Sequence, residues 1–281
     1  MSNRKITLLA IVMIFSLVLF VDGCGGGSKS NRSSSSGGGG GTGGGGTGTG
    51  GGGTGGGNGG GGSPTLPFGE SSNGTGGSSG STLTTPSGVT CNLIVPSSYN
   101  EGTPNEFLIV YSGTEGAGQM TSNIRNYMTV ISGLNKFIAA VLDGVTYRGN
   151  GQAGADVIDE VRAKYNIDND RMCLLGESAG TSAALELGFA IRQEYFAAYW
   201  ANDVNASATP QKTAAEIGFE PWGNAGPGGQ HTAAKIIVDG MRDAGYRLPA
   251  DAPYSGPGAN SHGDQTQFRA SLTFFPGKSR Q

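Results

Sequence analysis

An α/β architecture, a mostly parallel sheet flanked by helices, is predicted for residues 83–281 by three observations. Short runs dense in β-branched and large apolar residues recur along this part of the chain. Between them lie segments whose apolar residues repeat at helical spacing. One run leads through a Gly-x-Ser-x-Gly pentad directly into a helical segment. Strands alternating with helices are the sequence mark of a parallel sheet covered by helices, and the stretch is of ordinary size for one domain.

The chain begins with "MSNRKITLLAIVMIFSLVLFVDGC". Arg4 and Lys5 precede an apolar run from Ile6 to Val21, shorter than the roughly 20 residues needed to span a bilayer, and the small Gly23 stands before Cys24. Residues 1–23 read as a secretory signal. The ending Val21-Asp22-Gly23-Cys24 resembles a bacterial lipobox, which implies acylation of the Cys24 thiol and attachment to a membrane, each buried CH₂ contributing about 0.8 kcal/mol. Gly25, where aspartate would retain a sorted lipoprotein at the inner membrane, implies the outer membrane or the cell surface. From the residues alone, an ordinary signal peptide and an uncleaved anchor stay open as alternatives.

Residues 24–82 are expected to be a disordered Gly/Ser/Thr-rich tether. Most of the 54 glycines of the chain lie here, with almost nothing apolar to bury against the entropy of ordering. Such a coil has a root-mean-square reach of roughly 40–45 Å.

The remaining domain, 83–281, carries its elements in a regular order. "CNLIVP", "FLIVYSG" (107–113), "FIAAVLDG" (137–144), "RMCLLG" (171–176), "FAAYWAND" (196–203) and "IGFEPWGN" (217–224) read as strands, the last weakened by Pro221. "GADVIDEVRAKYNID" puts Val157, Ile158, Val161 and Tyr165 on one helical face, with "NIDND" as the turn that follows. "HTAAKIIVDGMRDAGY" does the same with Ala233, Ile236, Ile237 and Met241, and Gly245 is its stop. The 18 basic and 21 acidic residues of the chain give a net charge of −3, without a Lys/Arg cluster, which excludes a nucleic-acid partner. Cys91 and Cys173 sit inside apolar runs without metal-ligand spacing to a histidine, and they read as small buried hydrophobes.

The pentad Gly176-Glu177-Ser178-Ala179-Gly180 lies between the strand "RMCLLG" and the helical "TSAALELGFAIRQ". That is the setting of a nucleophile elbow, in which Ser178 is held in an unfavourable backbone conformation with its hydroxyl exposed at the top of the sheet. Gly176 and Gly180 leave room where strand and helix approach closely, and Ala179, Ala183 and Ala184 keep the helix slim.

"YNIDNDRMCLLGESAG" resembles the segment around the nucleophile in the polyhydroxybutyrate depolymerase and feruloyl or acetylxylan esterase group of α/β-hydrolases. The resemblance extends more loosely from about Val89 to Phe275, through "NLIVPSSYN" and "GANSHGD". It implies an α/β-hydrolase fold and hydrolysis of carboxylic esters through an acyl-serine, without metal or organic cofactor. His262, in the Gly/Pro/Ser-rich loop after the last strand, takes the place of the catalytic base; His231, at the start of a helix, is left out of the chemistry. The oxyanion donors are expected from the backbone N–H groups of Ala179 and of Thr114, in the loop after "FLIVYSG". The aspartate of the group is missing, because the matching stretch reads Gly223-Asn224-Ala225-Gly226. Asp203, Asn224, Glu220 and Asp264 are the candidates to replace it, with Asp203 on the correct edge of a parallel sheet. Only about a dozen residues, 202–214, separate the two late strands, so no cap domain is expected over the cleft; Trp222 is its expected aromatic lining. Two functions follow: a surface-tethered serine carboxylesterase acting on a polyester, an acylated polysaccharide or a small ester, or a catalytically impaired relic that binds such a ligand.

Overall fold

The computed structural model describes residues 66–280. The signal sequence, Cys24 and the glycine-rich stretch up to residue 65 lie outside the described residues. Seven strands form one sheet: β1 (Thr82–Thr84), β2 (Thr90–Ile94), β3 (Asn105–Tyr111), β4 (Phe137–Leu142), β5 (Ile167–Glu177), β6 (Ala198–Asn202) and β7 (Trp222–Ala225). Their order is β1-β2-β4-β3-β5-β6-β7. β1 and β2 run antiparallel, while β4, β3, β5, β6 and β7 are parallel, so the C-terminal ends of five strands share one edge. This is the mostly parallel sheet flanked by helices that the sequence predicts.

Six α-helices flank it: α1 (Gly116–Met128), α2 (Gly151–Lys164), α3 (Thr181–Glu186), α4 (Ala214–Ile217), α5 (His231–Asp243) and α6 (Gln265–Phe274). Side chains alternate across a strand, and β3 divides its own between two cores. Phe107, Ile109 and Tyr111 pack with Val157, Ile158, Ala183 and Ile237 of α2, α3 and α5. Leu108 and Val110 pack with Met120, Ile124, Phe268 and Leu272 of α1 and α6. With both faces covered, the central strands read as continuous apolar runs rather than alternating ones. Cys91 and Cys173 are free and buried, and burial raises both thiols, Cys91 to about 12.

Three elements differ from the sequence expectation. "NIDND", expected as a turn, opens β5, because its backbone pairs with residues on both sides: Asn105 opposite Ile167, and Ser71 opposite Asp168. "TSAALELGFAIRQ" is α-helical only to Glu186, after which Leu187–Ile191 widens into a π-helical turn. Gly188 lies in that turn, where a β-carbon would come within 2.7 Å of Leu174. "IGFEPWGN" contributes only three residues to the sheet, Trp222 to Asn224. Thr213 and Glu216 make a reciprocal capping box and Gly218 closes the turn at φ 83°, so the segment before Pro221 is the short helix α4.

The globular part also starts earlier than residue 83. Ser72 N–H donates to the Ile167 carbonyl (2.8 Å), Asn169 N–H to the Glu70 carbonyl (3.1 Å), and the Tyr165 hydroxyl to the Ser78 carbonyl (2.6 Å). Gly74 and Gly77 are needed there, since a β-carbon would fall 2.3 Å from the Arg162 carbonyl and 2.4 Å from the Tyr165 ring. Arg280 fastens the start of this segment. Its fully buried guanidinium donates to the carbonyls of Leu66 (3.1 Å) and Glu194 (3.1 Å) and to Asp170 Oδ1 (2.9 Å), and it lies 4.6 Å over the Phe68 ring. Replacing Arg280 by alanine leaves these acceptors without a donor, a loss of roughly 2–3 kcal/mol on the scale of buried acceptors left unsatisfied. For a domain of this size the expected fall in melting temperature is roughly 5–10 °C, measured by differential scanning calorimetry; an unchanged Tm would refute the fastening.

Candidate active site

Ser178 follows directly on β5 and has φ 43°, a left-handed conformation that costs a residue with a side chain and that the elbow imposes. The glycines around it are required sterically. A β-carbon on Gly176 would lie 2.5 Å from that of Ala184, and one on Gly180 would lie 2.6 Å from that of Tyr111. Strand, elbow and α3 therefore pack as the pentad predicts.

His262 lies in the loop between α5 and α6, and its Nε2 is 2.8 Å from Ser178 Oγ. The loop is fastened on both sides of the imidazole. His231, at the N-terminus of α5, places its Nε2 2.9 Å from Asn260 Oδ1, and Gly229 N–H donates to the Ala259 carbonyl (2.9 Å). Gly263 N–H donates to Asp203 Oδ2 at 2.6 Å. His231 thus contacts the loop that carries His262.

Asp203 directly follows β6 beside the His262 loop, 1% exposed and at φ 48°. Its second oxygen, Oδ1, accepts from Gln267 Nε2 of α6 at 2.6 Å. These bonds hold the backbone next to His262 and the start of α6; none of the hydrogen bonds among the described residues joins Asp203 to the imidazole itself. The other candidates are occupied elsewhere. Glu220 pairs with Arg247 (2.9 Å), and Asp264 caps α6 through Thr266 N–H (2.7 Å), which draws its carboxyl below the usual range. Asn224 accepts from Ala225 N–H (2.8 Å) and leaves its buried Nδ2 without a partner.

Sequence reasoning missed two carboxylates. Glu177, the residue before the nucleophile, is buried and accepts from Asn202 Nδ2 on Oε2 (2.9 Å). Burial foremost, then the charges of Asp203 and Glu115, pushes Glu177 well above the ordinary carboxyl range, against the lowering effect of Asn202. Glu115 accepts from Gly113 N–H at 2.9 Å, at a point where a β-carbon on Gly113 would be 3.2 Å from Cβ of Ser178. Thr114, the expected oxyanion donor, follows Gly113 and is exposed; Ala179 is buried immediately after Ser178. The only sequence signal for the two carboxylates was position, one inside the pentad and one just after β3.

A cleft of about 380 Å³ runs beside this constellation, lined by Glu115, Gln119, Asn123, Glu177, Asp203 and Phe268 among others. Trp222, expected in the cleft, is not part of that lining. It stands at the first position of β7, opposite Ala198 at the start of β6, and is covered by Lys278 Nζ at 4.1 Å from the ring. The residues between β6 and β7 hold only the single turn of α4, so the segment forms no cap.

No protein-family model and no curated protein matches the chain. Solved structures do resemble it. A thermostable esterase aligns at 15% identity over 59% of this chain and 52% of its own, TM-score 0.44, so the chain spans about half that protein's length. A ferulic acid esterase from Anaeromyces mucronatus, in complex with ferulic acid, aligns at 12% identity over 69% of this chain and 88% of its own, TM-score 0.46. A dienelactone hydrolase-like promiscuous phosphotriesterase from metagenomic libraries aligns at 15% identity over 71% and 100%, TM-score 0.44.

Proposed function

We propose that the protein is a serine carboxylesterase tethered to a membrane surface through Cys24. The observation that carries this reading is the 2.8 Å contact between Ser178 Oγ, on a strained elbow, and His262 Nε2. With the imidazole proton on Nδ1, the serine O–H donates to Nε2, and the lone pair left on Oγ attacks the ester carbonyl as that proton moves to His262. The oxyanion forms beside the N–H groups of Ala179 and of the loop after β3, where Thr114 lies. Collapse expels the alcohol, which takes the proton from His262, and leaves acyl-Ser178. Water, deprotonated by the same Nε2, repeats the sequence and releases the acid. Neither metal nor organic cofactor enters these steps. An open cleft suits a polyester or acylated polysaccharide as well as a small ester.

A fluorophosphonate probe tests the reading. The wild-type chain is expected to be labelled and Ser178→Ala to lose the label; an unlabelled wild type refutes an activated serine. That second result would favour the relic reading, whose own support is that the Asp203 hydrogen bonds reach the His262 loop rather than the ring, while Glu115 takes the Gly113 N–H.

The anchor has its own test. Metabolic labelling with a fatty-acid analogue is expected to tag the wild type, and Cys24→Ala is expected to release the protein into soluble fractions. Untagged, soluble wild-type protein with its signal removed would overturn the lipid assignment.

A further inference from the structure

Beside Ser178 stands a carboxylate that the ester chemistry does not use. Glu115 is the N-cap residue of α1, yet its side chain caps nothing there. It turns back along the loop instead, and its Oε1 accepts from Gly113 N–H at 2.9 Å. A β-carbon on Gly113 would collide with Glu115 Oε2 and would stand 3.2 Å from Ser178 Cβ. The carboxylate and the nucleophile therefore border the same point of the backbone. An oxyanion forming next to Ser178 meets this negative charge, in a loop where one backbone donor is already taken.

Glu115 is also the acid of the cleft that a ligand meets first. Of the other two carboxylates in the lining, Asp203 is buried with both oxygens accepting hydrogen bonds from Gly263 and Gln267, and Glu177 is buried against Asn202. Glu115 is exposed, and no ion pair among the described residues engages it. The rest of the described lining contains no lysine or arginine.

The geometry points to Glu115 as the specificity-determining residue of the site: its carboxylate holds Gly113 N–H at rest and yields that donor to esters that carry a positive charge near the scissile bond. A cation on the substrate pairs with the carboxylate, draws it from Gly113 and removes the repulsion against the oxyanion. An anionic ester adds a second negative charge beside the first, and a neutral one leaves the carboxylate in place. In turnover this rests on the serine esterase reading; the resting contact does not.

Three p-nitrophenyl butyrates test the charge, with trimethylammonium, tert-butyl or sulfonate on the far carbon. The first two share one shape and differ in charge alone. Wild-type kcat/KM is expected to favour trimethylammonium over tert-butyl roughly 5–10-fold, and tert-butyl over sulfonate by a similar factor, the scale of charges a few ångström apart in a partly exposed site. Glu115→Gln keeps an acceptor for Gly113 N–H without the charge, and it should bring both ratios close to one. Glu115→Ala should do the same and also speed the tert-butyl ester, because it opens Gly113 N–H. Ratios that survive in Glu115→Gln, or a wild type indifferent to the three esters, overturn the proposal.

A measurement without turnover separates its failure from failure of the esterase reading. In the full chain carrying Ser178→Ala, ¹⁵N-glycine and ¹³C-carbonyl serine single out the amide of Gly113 among the Ser–Gly pairs. Its proton is expected to move upfield in Ser178→Ala/Glu115→Ala, as the charged acceptor is lost. Adding the methyl ester of the trimethylammonium acid to Ser178→Ala should move it the same way, and the tert-butyl methyl ester should leave it in place. A Gly113 proton that answers neither change overturns the assignment even if the wild type turns over esters. A proton that answers both, beside a wild type that hydrolyses none of the three esters, supports the Glu115 assignment and counts against the esterase reading alone.

Discussion

In a Ser178→Ala chain, and separately in His262→Ala, hydrolysis of short p-nitrophenyl esters is expected to fall to background, a loss on the order of 10⁶-fold or to the detection limit. The two changes should not add, because serine and imidazole act as one unit through a single hydrogen bond. Stability should move little, and for Ser178→Ala the physical reason has two sides. The left-handed conformation at φ 43° is as awkward for alanine as for serine, so the strain is not relieved. The lost hydroxyl contact is a single hydrogen bond, with a net worth of about 1 kcal/mol. Progress curves of ester hydrolysis with calorimetry on the same preparations check both halves. Wild-type-like turnover in either variant would remove the pair from the chemistry.

Asp203→Asn is expected to cost on the order of 10³–10⁴ in turnover, by analogy with a protease triad that loses its carboxylate. The network explains why an amide is a poor substitute. Gly263 N–H and Gln267 Nε2 present donors to the two oxygens of Asp203, and an asparagine must turn its NH₂ toward one of them. The expected kinetic signature is a fall in kcat with KM nearly unchanged. Glu220→Gln and Asp264→Asn should cost far less, the former losing an exposed ion pair with Arg247 and the latter part of a helix cap. If Asp203→Asn retains most of its activity while Asn224→Ala loses it, the neutral amide of Asn224 is the orienting group.

The sequence and the structure agree where one physical signal dominates. β3, β4 and β6 are buried on both faces and stand out as unbroken apolar runs, and the pentad's glycines announce the elbow through the space they leave. The helices α1 and α6 were not anticipated. In α1 the inward face holds only Met120, Thr121 and Ile124, and in α6 it includes Gln267 and Ser271, so neither shows an apolar stripe. Gln267 is polar because it serves Asp203 rather than the core. The segment from residue 66 to 81 was read as part of the tether because glycine and serine dominate it, yet it is held by backbone hydrogen bonds to β5, for which composition gives no sign. Asp203 could be placed from the shared edge of parallel strands alone. Glu177 could not, since its contact arises from the register that sets it beside Asn202 on another strand.

The Arg280 fastening also determines the direction in which the site faces. Leu66 is bound next to Asp170, near the beginning of β5, whereas Ser178 stands just past its end. The eight residue steps from Asp170 to Ser178, at about 3.3 Å each, separate the two by roughly 26 Å. Anything joined to the chain ahead of Leu66 is attached at the pole of the domain opposite the catalytic edge. A pull from that direction is borne by Arg280 and the backbone bonds to β5, and it leaves the His262 loop unloaded.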